Sequence, residues 1–405
     1  MLPLSFLSLL LLAPPAKTTT TPTSTQHVLR PAPQHRKTGF AAFGDSYSAG
    51  IGTPLPSNNT SSACRRGAGA YPVLLAQDLT TATTTTTSFQ WLSCTGATTH
   101  DLLSTPSGTS GTSQIDAFNA SLDADFATLS IGGNDLGFFA VINACVFRFY
   151  GPSSGTCAAA LAAADDLLRD PGFEQRLSLI LLEILDRARW WEKPGFSVAV
   201  TGYARFFAAE TDACDSASMS VWRGGPVLSK DIRRRMNALV DAVNRKLRAG
   251  VEGANQRFAG EKPRVVFVDF DDAFEGHRFC EEGVSEPDYE REDTWFFLPG
   301  ARDVPADDDD TVAEMGVIPG DSVLVDPARC LRGAEASGDW GDLAVCYMAM
   351  ARRQHPELAP SHDRVLPQGS MWYVPTYYGK TFHPRSLGHR VVRDQIYKVW
   401  EENGL

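Results

Sequence analysis

The stretch Phe40-Ala-Ala-Phe-Gly-Asp-Ser46-Tyr-Ser-Ala-Gly50 decides how this chain is interpreted. An apolar run typical of a buried strand ends at Gly44, and Ser46 follows where the chain must turn. In a parallel sheet such a turn lies at the carboxyl edge, where ligands bind. The Ser46 hydroxyl is therefore predicted to be within reach of a substrate. Asp and Ser are also ordinary turn and helix-cap residues, so this segment alone does not establish a catalytic site.

A second segment, Gly132-Gly133-Asn134-Asp135, also follows an apolar run directly. Glycines permit an unusual backbone path and the close approach of a substrate. The side-chain amide of Asn134 can then point at an oxyanion that develops during acyl transfer. Gly96, within Ser93-Cys94-Thr95-Gly96-Ala97, offers a backbone N–H for the same purpose. Gly-Gly-Asn is also a common turn, so this segment does not decide the function either.

A histidine that could act as a base lies near the C-terminus, in His383-Pro-Arg-Ser-Leu-Gly-His389. A histidine with a pKa near neutrality can take the serine proton and later donate it to the leaving group. Most histidines are structural, and that interpretation is given to the others named here: His100, His277, His355, His362 and His389.

From residue 39 onward, short apolar runs alternate with longer helical periodicities. Apolar runs of strand length occupy 40–43, 89–92, 126–131, 196–201 and 265–268. Helices are predicted over 173–188, 228–247 and about 386–400, the first with Asp170 as its cap and Pro171 in its first turn. A threonine tract at 80–87 is predicted to form a surface loop. The alternation indicates an α/β fold, with a parallel sheet covered by helices on both faces.

Four segments in this order resemble the SGNH hydrolase family, also called GDSL esterases and lipases: G-D-S-Y-S-A-G at 44–50, Gly96, G-G-N-D at 132–135 and H-P-x-x-x-G-H at 383–389. The resemblance covers about residues 40–300 and 370–405. It implies a flavodoxin-like three-layer α/β/α sandwich and acyl transfer through an acyl-serine. It implies Ser46 as nucleophile and His383 as general acid/base. The implied oxyanion donors are the Ser46 and Gly96 amides and the Asn134 side chain, with no metal or cofactor.

One position departs from the family pattern. Many members carry D-x-x-H-P, in which the Asp orients the histidine, whereas here Lys380 stands three residues before His383. A lysine side chain cannot accept the imidazole proton, but the Lys380 backbone carbonyl can, and a Ser-His dyad is therefore expected. The rival hypothesis is a carboxylate delivered from elsewhere, with Asp363 the nearest candidate in the sequence.

The chain has eight cysteines, an even number with no C-x-x-C pair, so disulfides are predicted and a zinc site is not. The residues alone leave the pairing open. The resemblance to a disulfide-containing bacterial SGNH lipase branch implies Cys64–Cys94, Cys145–Cys157 and Cys214–Cys280, and leaves Cys330–Cys346 for the final pair.

The predicted domain order is a signal peptide at 1–16, a disordered Thr/Pro-rich linker at 17–38 and a hydrolase domain at 39–405. An acidic, loop-rich insertion interrupts the domain at about 270–370, and its Asp307–Asp310 run is interpreted as a solvated loop rather than a calcium site. The first apolar run is too short for a stable membrane anchor, so a secreted protein is expected. Candidate glycosylation sequons begin at Asn58, Asn59 and Asn119.

The formal net charge of -11 argues against nucleic acids and anionic membrane surfaces as partners. The expected substrate is a small-molecule, lipid or acylated-carbohydrate ester, and no oligomeric state is indicated. The first hypothesis is a secreted carboxylic ester hydrolase, an esterase or lipase. Two alternatives are a polysaccharide deacetylase of the same fold and a non-catalytic secreted binding protein.

Overall fold

The computed structural model describes residues 38–54, 64–83, 87–104, 112–148, 156–220, 222–258, 263–288, 291–298 and 380–405, with single residues at 332, 346, 350 and 354. All the elements below belong to the unit His35–Leu405. Several sequence predictions lie outside the described residues: the signal peptide, the linker up to residue 37, Asn58, Asn59, Asp307–Asp310, Cys330, His355, His362 and Asp363.

A five-stranded parallel sheet forms the centre of the described fold, in the order β2-β1-β3-β4-β5. This is the flavodoxin-like strand order. Its strands are β1 Gly39–Gly44, β2 Ser88–Trp91, β3 Phe126–Ser130, β4 Ser197–Thr201 and β5 Val265–Val268. Every residue of β1, β3 and β4 is buried, as expected for strands covered on both faces. All five predicted strands are therefore present.

Helices cover the two faces of the sheet. They are α1 Ser46–Ala49, α2 Tyr71–Thr83, α3 Thr99–Leu102, α4 Gln114–Ala117, α5 Phe138–Ile142, α6 Cys157–Arg169, α7 Gly172–Arg187, α8 Lys230–Asn255 and α9 Ser386–Asn403, with a π-helical turn at Asn143–Phe147 and a 3₁₀ turn at Asp272–Phe274. Helices α2 and α9 pack together on the face where Phe126 contacts Trp400. Helices α7 and α8 pack together on the face where Phe43 contacts Phe118. The result is the predicted three-layer α/β/α sandwich.

The start of α7 matches the sequence prediction: Asp170 has an extended backbone, Pro171 has helical dihedral angles, and the Asp170 carboxylate accepts a hydrogen bond from Gly172 N at 2.9 Å. One other helix boundary differs. The helix predicted from residue 228 begins at Lys230, because the side chain of Ser229 accepts from Ile232 N and caps it.

The prediction of a loop over the whole threonine tract at 80–87 is wrong for its first four residues. Thr80 to Thr83 form the last turn of α2. The hydroxyls of Thr80 and Thr81 donate to the carbonyl oxygens of Ala76 and Gln77 one turn earlier, which satisfies these side chains within the helix.

Disulfides tie together loops around the sheet. The described residues contain Cys64–Cys94, Cys145–Cys157 and Cys214–Cys280, the three pairs that the family resemblance implies. Cys214–Cys280 joins the segment after β4 to the segment after β5, and Cys64–Cys94 joins the segment before α2 to the one after β2. Within the part of the chain that the structure describes, no helix has the length and apolar content needed to cross a bilayer.

Candidate active site

The turn after β1 places Ser46 at the carboxyl edge of the sheet. Gly44 ends the strand with φ 127°, and a Cβ there would lie 2.0 Å from the Ser130 carbonyl oxygen, so only glycine fits. Asp45 then caps α1, and Ser46 is the first residue of that helix. Amides in the first turn of a helix have no acceptor within the helix. The Ser46 N–H is therefore available to a ligand.

His383 lies against this serine, 337 residues away in the sequence. Its Nε2 is 2.7 Å from Ser46 Oγ, and its Nδ1 is 3.1 Å from the Lys380 carbonyl oxygen. Because a carbonyl can only accept, Nδ1 carries the proton and Nε2 presents its lone pair to the serine hydroxyl. Burial lowers the pKa of His383 to about 4, against the opposing effect of hydrogen bonds to the Lys380 and Thr381 backbone. The imidazole is thus neutral at physiological pH.

The loop that carries His383 is held by a neighbouring backbone N–H and a neighbouring side-chain hydroxyl. The His383 carbonyl accepts from Phe297 N at 2.9 Å, and the Phe382 carbonyl accepts from the Tyr47 hydroxyl at 2.6 Å. The ammonium group of Lys380 lies 5.4 Å from the centre of the Phe297 ring, so the lysine side chain points to that ring and its carbonyl serves the histidine.

Asn134 and Gly96 lie on two loops that are bonded to each other. Asn134 Nδ2 donates to the Ala97 carbonyl at 2.8 Å, which leaves its second N–H for another acceptor. The neighbouring carboxylate of Asp135 accepts from Thr99 N at 3.0 Å. Gly96 has φ 88°, and the bond between Cys94 and Cys64 secures its loop from the other side.

A small pocket with a cavity volume of about 30 Å³ opens beside the serine. Its polar end is formed by Asp45, Ser46, Asn134, Tyr203 and His383, and its apolar wall by Phe138, Ile142, Phe206 and Phe382. Ser46, Asn134 and His383 therefore line one cavity. In the described chain Gly96 does not line it, and is connected to it through Ala97 and Asn134.

The sequence profile of the GDSL-like lipase/acylhydrolase family matches residues 42–289, more than half of the chain. The chain belongs to this family. Family membership makes it a serine hydrolase that acts on ester bonds of small-molecule substrates.

Relatives of this GDSL-like hydrolase are known in Streptomyces. It is 30% identical over 249 residues to "Lipase" of Streptomyces rimosus, covering 62% of this chain and 76% of that protein. This chain is also 30% identical over 279 residues to "Lipase 1" of Streptomyces coelicolor, and the match covers 68% of this chain and 83% of that protein. A crystal structure of an extracellular lipase from Streptomyces rimosus is 27% identical with a TM-score of 0.45, and the match covers 61% of this chain and 86% of that one.

Three residues of this hydrolase pocket were missed by the sequence analysis: Asp45, Tyr47 and Tyr203. Burial raises the pKa of Asp45 to about 7, although Tyr203, Tyr47 and Ser130 donate hydrogen bonds to it. Tyr203 follows Gly202 just after the end of β4. Functional side chains of a parallel sheet lie after the carboxyl ends of its strands, and this rule, which pointed to Ser46 and Asn134, could also have identified Tyr203.

The second histidine of the C-terminal motif is structural, as interpreted. His389 is 1% exposed, and its Nδ1 accepts from Tyr71 N at 3.2 Å, which joins α9 to α2. Burial lowers the pKa of His389 to about 3, so it stays neutral within the fold.

Proposed function

We propose that this hydrolase cleaves carboxylic esters through an acyl-Ser46 intermediate. His383 Nε2 removes the hydroxyl proton as Ser46 Oγ attacks the ester carbonyl, and then returns that proton to the departing alcohol. Water attacks the acyl-serine in the same way and releases the acid. The observation that carries this proposal is the 2.7 Å contact between Ser46 Oγ and the lone-pair nitrogen of His383.

We further propose that three N–H groups stabilise the tetrahedral oxyanion: the backbone amides of Ser46 and Gly96 and the free N–H of Asn134 Nδ2. Preorganised donors of this kind are most effective in a water-poor site, because they need no reorganisation as charge develops. The bond from Asn134 to the Ala97 carbonyl supports this role, since it fixes the plane of the amide.

The Lys380 carbonyl is the proposed orienting group for His383. With a backbone carbonyl in place of a carboxylate, the catalytic side chains form a Ser-His dyad. Its 3.1 Å distance from Nδ1 supports the dyad. A neutral acceptor sets the tautomer as a carboxylate would, but stabilises the imidazolium less.

Export from the cell is part of the proposal. The apolar run near the N-terminus fits a signal peptide cleaved after Ala16, and the disulfides fit an oxidising compartment. Asn119 is exposed and forms part of a turn in which its Oδ1 accepts from Ser121 N at 3.0 Å, so it is accessible to glycosylation. Asn58 and Asn59 are proposed as further glycosylation sites on their sequons alone.

Two substrate classes are in competition. Lipid esters are the first proposal, because the Streptomyces relatives at 30% identity are named lipases. Acylated carbohydrates are the second, because an acetyl group needs only a small pocket such as the one beside Ser46.

A graded series of p-nitrophenyl esters from acetyl to palmitoyl, assayed beside acetylated xylan, separates these classes. Hydrolysis of the long esters supports the lipase hypothesis, and release of acetate from xylan supports the deacetylase. Ser46→Ala is expected to abolish hydrolysis of every ester while the protein remains folded by circular dichroism. A folded Ser46→Ala variant that keeps most of its activity refutes the acyl-serine mechanism.

A further inference from the structure

The hydroxyl of Tyr203 joins the two loops that carry the proposed nucleophile and the proposed side-chain oxyanion donor. It donates to Asp45 Oδ2 at 2.6 Å and accepts from Gly133 N at 3.1 Å. Asp45 immediately precedes Ser46, and Gly133 immediately precedes Asn134. Because Tyr203 itself follows β4, a single phenolic oxygen connects the carboxyl ends of three neighbouring strands.

The position of this tyrosine is well defined. Its backbone N–H donates to Asn244 Oδ1 at 2.9 Å, and its carbonyl accepts from Asn244 Nδ2 at 2.8 Å, which anchors it to α8. Its ring lies edge-on to Tyr47 at 4.7 Å, and the residue is only 4% exposed. A side chain held at both ends in this way can fix the distance between the groups it contacts.

The direction of the hydrogen bonds excludes Tyr203 from proton transfer. The Gly133 N–H can only donate, so the phenolic oxygen accepts there and its own proton goes to Asp45. Burial, reinforced by the nearby Asp45 carboxylate, raises the pKa of Tyr203 well above its ordinary value of 10.0. The hydroxyl is therefore committed to two protein groups and stays protonated.

We propose that Tyr203 is a positioning residue for ester hydrolysis, which sets the separation between Ser46 and the Asn134 amide. The inference rests on the proposed roles of those two residues. A misplaced donor weakens the transition state more than the bound ester, because the oxyanion forms only during the reaction. Loss of the Tyr203 hydroxyl should therefore lower kcat and leave KM nearly unchanged.

Tyr203→Phe tests this directly, with Tyr397→Phe as its matched control. The Tyr397 hydroxyl also donates to a carboxylate, Asp78 at 3.3 Å, but on α9 and away from the pocket. Tyr203→Phe is expected to reduce kcat by about 10-fold to 100-fold with KM within about twofold, and Tyr397→Phe to leave both within about twofold. A wild-type kcat in Tyr203→Phe, or a loss confined to KM, overturns the proposal.

A double-mutant cycle with Asn134→Ala separates positioning from a general structural effect. If Tyr203 acts through Asn134, then Tyr203→Phe costs only about twofold in kcat once Asn134 is already alanine. Equal losses in both backgrounds overturn the proposal. Should Tyr203→Phe not fold, Asn244→Asp replaces it, since it removes the donor to the Tyr203 carbonyl and is expected to lower kcat in the same Asn134-dependent way.

The experiments distinguish failure of the positioning role from failure of the proposed function, because Ser46→Ala tests the proposed function by itself. If Ser46→Ala is inactive and Tyr203→Phe has a wild-type kcat, only the positioning role is refuted. Activity in Ser46→Ala refutes the acyl-serine mechanism and, with it, the positioning role.

Discussion

At the scale of single residues, the pair of Ser46 and His383 combines a neutral imidazole with a neutral orienting group. Burial lowers the pKa of His383, and the Lys380 carbonyl offsets this only partly. A general base with a depressed pKa keeps its lone pair over a wide pH range. It is also a weaker proton acceptor than an ordinary histidine, so the proposed mechanism assigns more of the rate to the proposed oxyanion donors.

The pH profile is the first prediction at this scale. Because the folded pKa of about 4 lies below the ordinary 6.5, His383 remains neutral as the pH falls from 7 to 5. We expect kcat/KM for a soluble ester to be nearly flat over this range, with an acid limb well below pH 6.5. Lys380→Ala keeps the backbone carbonyl and should show the same limb. Asp45 also lines the pocket and has a pKa of about 7, so the profile is measured in Asp45→Asn as well. A limb at or above pH 6.5 that persists in Asp45→Asn would instead indicate a carboxylate partner of His383, such as Asp363, that stabilises the imidazolium.

The second prediction concerns Asp45 and stability. Its folded pKa of about 7 lies above the ordinary 3.8, so its contribution is fully present below pH 3.8 and is lost as the pH rises through 7. Asp45→Asn cannot ionise. Relative to wild type, its free energy of unfolding should therefore rise between pH 5 and pH 8, by on the order of 2–4 kcal/mol. Urea denaturation at both pH values measures this, and a constant difference between the two proteins would contradict it.

At the scale of elements, the site depends on how loops at the carboxyl edge are held relative to one another. The Cys64–Cys94 bond secures the Gly96 loop, Asp135 bonds that loop to the one carrying Asn134, and Tyr203 bonds the latter to the nucleophile turn. The strands fix where each loop begins, and these cross-links between loops fix the position of each proposed donor group.

The Cys64–Cys94 bond is expected to affect both stability and rate. Replacing both cysteines with Ser should cost about 3 kcal/mol in the free energy of unfolding, and should lower kcat because Gly96 loses its support. The control replaces Cys214 and Cys280 with Ser, which is expected to reduce stability without a comparable loss of kcat at a temperature where both variants are folded. Equal kcat values in the two variants would show that the first bond does not support the oxyanion donors.

Sequence patterns predicted the strands well because each strand lies in a short apolar run, and every residue of β1, β3 and β4 is buried. They predicted helix ends less well, since these depend on single hydrogen bonds. Ser229, for example, caps α8 and shifts its start from the predicted residue 228 to Lys230. The hydroxyls of Thr80 and Thr81 keep their segment helical where composition indicated a loop.

At the scale of the whole molecule, the fold brings together Ser46 and His383, which are 337 residues apart in the sequence. Ser46, Asn134 and His383 could be identified from sequence because each lies in a motif next to an apolar strand or the final helix. Tyr203 could have been singled out in the same way, because it also follows an apolar strand. The proposed role of Tyr203 could not be predicted, because it depends on one hydroxyl that contacts Asp45 and Gly133 on two other loops, and those contacts exist only in three dimensions.

Covalent labelling of the native protein with a fluorophosphonate, followed by peptide mass mapping, tests the central claim most directly. We expect a single adduct at Ser46, its absence in Ser46→Ala, and much slower labelling in His383→Ala. Ser48 provides an internal comparison, because it lies in the same helix but its hydroxyl is 2.6 Å from that of Ser93. An adduct at Ser48, or an active protein that remains unlabelled at Ser46, would contradict the acyl-serine mechanism.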